Sequence, residues 1–309
     1  MTPEVSAVVV NYNAGDDLRA ALRSIADEVA GRAWEAVVVD NASTDGSARA
    51  ANEFAPQVRL IVNRDNVGFG RAVNQALASV AAPLVLIMNP DCRLEPGSVA
   101  ALAHILESDR SCAVAGPRIL DPDGAVQGSA RGDPDMLTGL FGRASALRRL
   151  LPGLPVSKRN VVESGRALPE DGAARMGPGA AADAVVPSSV VVDWVSGACM
   201  LARRSALEAV GGFDERYFLY WEDADLCRRL RSRGYRIRYV PAATAVHRVG
   251  QSSRTARARS IRAFHDSAYL YYATHVAPGR FNPKRWLARV VLSARCALLL
   301  RRAQVEGQI

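Results

Sequence analysis

Two periodicities alternate along the first part of the chain. Residues 5–10 are a β-branched apolar run that ends at Asn11-Tyr12-Asn13, and residues 18–29 follow with Leu22, Ile25 and Val29 on one side of a helix. Residues 36–39 are a second apolar run, closed by Asp40-Asn41, and residues 43–51 open a second helix with Ser or Thr as cap. A third strand is expected over 58–62, a helix over 70–80 and a fourth strand over 84–88. Strands alternating with helices in this way predict an α/β fold with a mostly parallel, doubly wound sheet, and continuous apolar strands fit burial on both faces.

Residues 143–190 break the pattern. They are rich in Ala, Gly, Pro, Ser and Arg without periodicity, and read as a long mobile insertion. Order resumes with a strand over 190–194 and a short helix over 205–210 that Gly211-Gly212 stops; residues 235–240 read as another strand. From Arg254 the chain is strongly basic, with helical spacing to Tyr272 and again over 284–302.

In doubly wound sheets, ligands bind beyond the carboxyl ends of the strands. Those ends carry Asn11 and Asn13, Asp40 and Asn41, Asn63 with Asn66, and Asn89 with Asp91. Turns favour Asn and Asp for local reasons, which accounts for any one of these sites better than for four in register.

Composition sharpens the picture. The chain has 309 residues, 49% of them hydrophobic, enough for one large core or a core plus a smaller lobe. The net charge of +8 comes mostly from arginine and suits anionic partners, although a GC-rich genome would leave the same surplus. The five cysteines are scattered without C-x-x-C spacing, as expected of reduced thiols. No signal peptide and no apolar run of about 18 residues is visible, so the expected location is cytoplasmic, with room for peripheral contact on the inner face of the membrane.

Three local motifs bear chemistry. Asp91, in NPDCRL after the apolar run LVLIM, is placed to hold a hard divalent cation at a strand exit; a turn-forming Asp after Pro is the plainer reading. In VVVDNASTDGS, Asp40 and Asn41 precede a helix start whose N–H groups suit a phosphate or the edge of a base, and Gly68 and Gly70 at a loop-to-helix junction allow close approach of a ligand. Neither a P-loop nor a dinucleotide fingerprint is present. Third, YFLYWEDADLCRRL crowds aromatics against Glu222, Asp223 and Asp225. Leu226 and Leu230 continue it as a helix toward the core, and acids at a helix start also answer the helix dipole.

Taken in order, VVVNYN, VVVDNASTDGS, NVGFGRAVNQAL, LIMNPD, VSGACMLARRSALEAVGGFDE, WEDADLCRRLRSRGYRI and AVHRVGQSS resemble the family 2 glycosyltransferases of the GT-A fold, closest to their bacterial rhamnosyltransferase-like branch. The resemblance covers roughly residues 5–275 apart from the insertion. It implies a GT-A domain over 1–275, with a nucleotide-sugar-binding half (1–120) and an acceptor-side half (190–275), followed by a basic helical segment over 276–309.

The resemblance also implies roles. Asp40 and Asn41 match residues that contact the base and ribose of a nucleotide-sugar donor, with Asn11, Asn13, Asn66, Gly68 and Asn89 lining the same site. Asp91 matches the last acid of a D-x-D metal motif whose first position is Asn89 here, and His247 a histidine that completes the metal or diphosphate site. The implied cofactor is Mg²⁺ or Mn²⁺. Asp223 matches the general base, its pKa raised by like charge from the supporting acids Glu222 and Asp225, and Tyr220 and Trp221 offer apolar faces to a sugar ring. The expected reaction is inverting transfer of a sugar, rhamnose being suggested by the branch, from a nucleoside diphosphate to a lipid-linked or polysaccharide hydroxyl.

The tail over 254–302 reads either as a membrane-surface helix or as an ordinary packing helix. Two rival functions share some of these features. A nucleotidyltransferase would want a basic Gly-rich loop where VNYNAGDD is acidic. A nucleic-acid-binding protein would want aromatics interleaved with the tail arginines, which are sparse outside 269–272, so no nucleic-acid partner is expected.

Overall fold

The computed structural model describes residues 3–31, 33–133, 189–248 and 257–307. The insertion expected over 143–190 lies, up to residue 188, outside them. In chain order the elements are β1 (Val5–Asn11), α1 (Asp17–Glu28), β2 (Trp34–Asp40), a 3₁₀ helix (Ser47–Phe54), β3 (Val58–Val62), α2 (Phe69–Leu77), β4 (Leu84–Met88), β5 (Cys92–Leu94), α3 (Ser98–Ser108), β6 (Cys112–Leu120) and β7 (Ala130–Arg131). Then come β8 (Val190–Val192), β9 (Trp194–Val195), β10 (Cys199–Arg203), α4 (Arg204–Ala209), α5 (Glu222–Ser232), β11 (Arg236–His247), α6 (Arg257–Tyr271), a π-helical turn (Tyr272–Val276) and α7 (Pro283–Val305).

The central sheet runs β3-β2-β1-β4-β10-β6-β11-β5, with β8 also on β11. Strands β3, β2, β1 and β4 are parallel, as the alternating pattern requires. The other half is mixed: β10 lies antiparallel between β4 and β6, β6 and β11 are parallel, and β5 and β8 are antiparallel to β11. The sheet is covered on both faces. In β1, Ala7 and Val9 join Leu18, Leu22, Ile25 and Leu102, while Val8 and Val10 join Val73, Leu207, Leu226 and Leu230. Alternate side chains feed opposite cores, and this is why the strands are apolar throughout.

Three local expectations change. The helix expected from residue 43 is a 3₁₀ helix that starts at Ser47, after Gly46 at φ 78°, and no side chain caps it. The hydroxyls expected to cap are engaged elsewhere: Ser43 Oγ accepts from Asn11 and from the Asn13 N–H, and Ser47 Oγ donates to Asp45. The strand expected over 190–194 is two, β8 and β9, parted at Asp193. The strand expected to stop at Val240 continues to His247 through an irregularity between Val240 and Thr244. Pro241, which has no N–H, lies within that break.

Candidate active site

The extended β11 brings His247 opposite Cys92 of β5, so ladder register alone sets His247 beside Asp91. The Asp91 carbonyl accepts the Arg248 N–H (3.0 Å), and Asp91 Oδ1 lies 3.2 Å from His247 Nε2. Gln127, absent from the sequence reading, orients this pair. Its Nε2 donates to Asp121 Oδ1 (2.7 Å) and to the His247 carbonyl (2.9 Å), so its Oε1 faces His247 Nδ1 at 3.1 Å. Nδ1 therefore carries the ring proton, and in a neutral ring the Nε2 lone pair points at a carboxylate oxygen. Two acceptors at that spacing call for a cation between them or a second proton on the ring.

Cys92 lies within the same cluster, its sulfur within 4.8 Å of the Asp91 and His247 ligand atoms. Its thiol bonds the Ala198 carbonyl (3.2 Å), and burial pushes its pKa well above the ordinary value, so it stays a thiol. One carboxylate oxygen and one imidazole nitrogen remain. That set fits Mn²⁺ or Mg²⁺, which fill the rest of their coordination shell with phosphate oxygens and water.

The turn 196–198 connects this pair to the acidic helix. Its Ala198 carbonyl accepts the Asn89 N–H (2.8 Å), and its Gly197 N–H donates to Asp223 Oδ2 (2.9 Å). A Cβ at Gly197 would sit 3.3 Å from the Asp223 Cβ, so a bare backbone suits the close approach. Asp223 Oδ1 accepts the N–H of Ala224 (2.8 Å), and each carboxylate oxygen keeps a further lone pair. Burial raises the Asp223 pKa, opposed by those two N–H groups and by the Arg131 guanidinium. The cause thus differs from the like-charge repulsion expected of the motif. That repulsion falls on Glu222, whose pKa rises first through burial and then through the charge of Asp223.

The three acids of the motif diverge in surroundings. Asp225, 1% exposed, accepts from Arg229 Nε (2.7 Å) and lies 2.6 Å from His275 Nε2, which fastens α5 to the π-helical turn. Glu222 is 6% exposed and its Oε2 has no hydrogen-bond partner among the described residues. Since its folded pKa lies above its unfolded one, its contribution to stability is present below the ordinary Glu range and is lost as pH rises through the folded value. Glu222→Gln removes that loss: its melting midpoint at neutral pH should exceed that of the unaltered protein by about 2 °C for each kcal/mol regained, and the difference should vanish near pH 4. Thermal denaturation across pH 4–8 measures it.

Tyr220 and Trp221 both have positive φ, 67° and 70°. Such angles are uncommon for bulky residues and cluster at functional sites. The Trp221 ring packs against Phe264 (5.9 Å) and Tyr271 (5.3 Å), so part of the apolar face expected for a sugar is already covered by α6.

On the donor side, Asn11 Nδ2 donates to Asp40 Oδ1 (2.7 Å), Ser43 Oγ (3.1 Å) and Ser47 Oγ (2.9 Å), while its Oδ1 is buried without a partner. Asp40 Oδ2 accepts the Ser43 N–H (3.0 Å), and Asn13 Oδ1 accepts that of Thr44 (2.8 Å). Asn41 accepts from Asn63 (2.9 Å) and donates to the Gly68 carbonyl (3.2 Å). Asn66 accepts the Gly68 N–H (3.0 Å). Gly68 makes its own close approach to protein: at φ 90°, a Cβ there would lie 2.5 Å from the Phe218 carbonyl oxygen. That carbonyl accepts the Phe69 N–H (2.9 Å), so the segment leading into the acidic motif rests on the start of α2. Another pair missed from sequence is Asp17 with Arg248 (3.1 Å), beside the Asp91–His247 pair.

An α/β sheet with its polar side chains gathered at the strand ends is the architecture of the GT-A glycosyltransferases. It is matched by a mannosyltransferase from Pyrobaculum calidifontis solved with GDP-Man and Mn²⁺ (TM-score 0.55, 18% identity, 100% of this chain and 81% of that one). GalNAc-T7 with UDP, GalNAc and Mn²⁺ matches at TM-score 0.57 and 14% identity, over 91% of this chain and 52% of that one. The profile described as glycosyl transferase family 2 covers residues 6–151, and that of glycosyl transferase family group 2 covers residues 179–264. An N-acetylglucosaminyl-diphospho-decaprenol L-rhamnosyltransferase of Mycobacterium tuberculosis is 35% identical over 97% of this chain and 94% of its own length. Rhamnosyltransferase WbbL of Escherichia coli is 43% identical over 28% of this chain and 33% of its own. The chain therefore belongs to glycosyltransferase family 2 and is a glycosyltransferase rather than a nucleotidyltransferase.

Proposed function

We propose that this enzyme transfers a deoxyhexose, rhamnose foremost, from a nucleoside diphosphate to a hydroxyl of a lipid-linked acceptor at the cytoplasmic face of a membrane, with inversion. The sugar and acceptor are suggested by the Mycobacterium tuberculosis relative, an L-rhamnosyltransferase named for N-acetylglucosaminyl-diphospho-decaprenol. The carrying observation is the 196–198 turn, hydrogen-bonded to Asn89 on one side and to Asp223 on the other.

In this reading Asp223 takes the proton of the acceptor hydroxyl as its oxygen bonds to the anomeric carbon, and the bond from that carbon to the diphosphate breaks. One displacement inverts the centre. Burial holds the Asp223 carboxylate basic enough for the task, and the Gly197 and Ala224 N–H groups keep it aimed. Asp91 and His247 would hold a divalent cation, with Gln127 fixing the imidazole tautomer. When bound, such a cation neutralises charge on the leaving diphosphate. Asp40, Asn41, Asn11, Asn13, Asn66, Gly68 and Asn89 form the nucleotide side, and Glu222, Asp225 and Trp221 support Asp223.

The test is a screen of dTDP- and UDP-sugars with a polyprenyl-diphosphate-linked N-acetylglucosamine, scoring nucleoside diphosphate release with Mn²⁺, with Mg²⁺ and with chelator. Rhamnosyl transfer that needs the cation is expected. Turnover unchanged by chelator, or confined to another donor sugar, would overturn the corresponding part.

A further inference from the structure

Helix α7 buries one face and leaves another bare. Ala288, Leu292 and Ala303 are buried, and Arg285 and Arg289 lie over the ring of Tyr269 on α6, 5.8 and 4.8 Å from its centroid. On the outer side Trp286 is 74% exposed, with Leu287, Val290, Leu298 and Val305 exposed beside it, and Phe281, just ahead of the helix, is 93% exposed. At 3.6 residues per turn the five helical positions fall within about 120° of arc, which Arg301 shares near the C-terminal end. This is a stripe, not scattered apolar residues, and a packing role for α7 leaves it unexplained. Between Pro283 and Val305 the helix carries Lys284 and five arginines and no acid. Among the described residues no helix is long and apolar enough to cross a membrane.

We propose that α7 docks this enzyme on an anionic lipid bilayer, lying in the headgroup plane with Phe281, Trp286, Leu287 and Val290 sunk among the acyl chains and Lys284, Arg301 and Arg302 against lipid phosphates. The combination of an apolar stripe with an all-basic flank is what an interfacial helix requires. Charge decides against a second copy as the occupant: pairing two such helices would oppose cation to cation along their length. Residues 134–188, the largest stretch outside the described residues, carry a small surplus of basic over acidic side chains and offer no complementary charge either. The inference deepens the membrane part of the proposed function, and its test uses neither donor nor acceptor, so the two can fail separately.

The full-length protein is mixed with phosphatidylcholine vesicles, with and without phosphatidylglycerol, and bound protein is scored by co-sedimentation. Binding should require phosphatidylglycerol and fall with salt. Replacing Trp286, Leu287 and Val290 together by Ser should abolish it, with the melting midpoint unchanged. Lys284→Gln with Arg301→Gln and Arg302→Gln should weaken it roughly tenfold or more. Three results would overturn the proposal: no vesicle binding by the unaltered chain, undiminished binding by the triple Ser variant, or a dimer in sedimentation velocity that the Ser variant dissociates.

Discussion

Asp223→Asn should bind the donor as the unaltered enzyme does and transfer the sugar roughly 10²–10⁴-fold more slowly. An amide has the shape of the carboxylate but takes no proton from an acceptor hydroxyl. It also has one acceptor oxygen where the carboxylate offers two, so either the Gly197 or the Ala224 N–H loses its partner. That loss costs about 1–3 kcal/mol of stability, which a thermal melt measures apart from the rate. The unaltered enzyme's rate should fall on the acid side with a midpoint above the ordinary Asp range, because burial raises the pKa more than the donors lower it. The Asn variant's residual rate should lack that limb. Near-normal turnover by a folded Asn variant would move the base elsewhere.

Asp91→Ala should show the next largest effect, through the donor complex. It removes one of the two proposed cation ligands while keeping the backbone carbonyl at position 91 that accepts from Arg248. Titration of the nucleoside diphosphate by calorimetry in Mn²⁺ should show affinity lower by roughly 100-fold or more. The same titration in chelator should show little difference between the two proteins. Equal losses with and without Mn²⁺ would mean that Asp91 acts on the nucleotide or on the fold and not through a cation.

How much of this could be read in the sequence follows from contact range. Strands β1 to β4 and helix α5 declare themselves through nearest-neighbour periodicity, and the strand-end acids follow from the architecture. β10 was hidden because CMLAR runs straight into α4 with no turn residue between them. Gln127 was invisible because its partner His247 is 120 positions away and nothing local marks it. Gly68 was legible as a place of close approach, but not that the approaching group is the Phe218 carbonyl. The upward shift of Asp223 was expected from its acidic neighbours; its main source is the burial created by tertiary packing.

The contact between Asp225 and His275 bears on where the enzyme can be cut. Arg228 reaches past the same residue, donating to the His275 carbonyl at 3.1 Å. A chain ended after β11 would strip a nearly inaccessible anion of one of its two cationic or hydrogen-bonding neighbours, and free the rear of the segment that aims Asp223. The C-terminal helices are therefore no detachable appendage: the shortest polypeptide able to hold helix α5 in place must run through the π-helical turn.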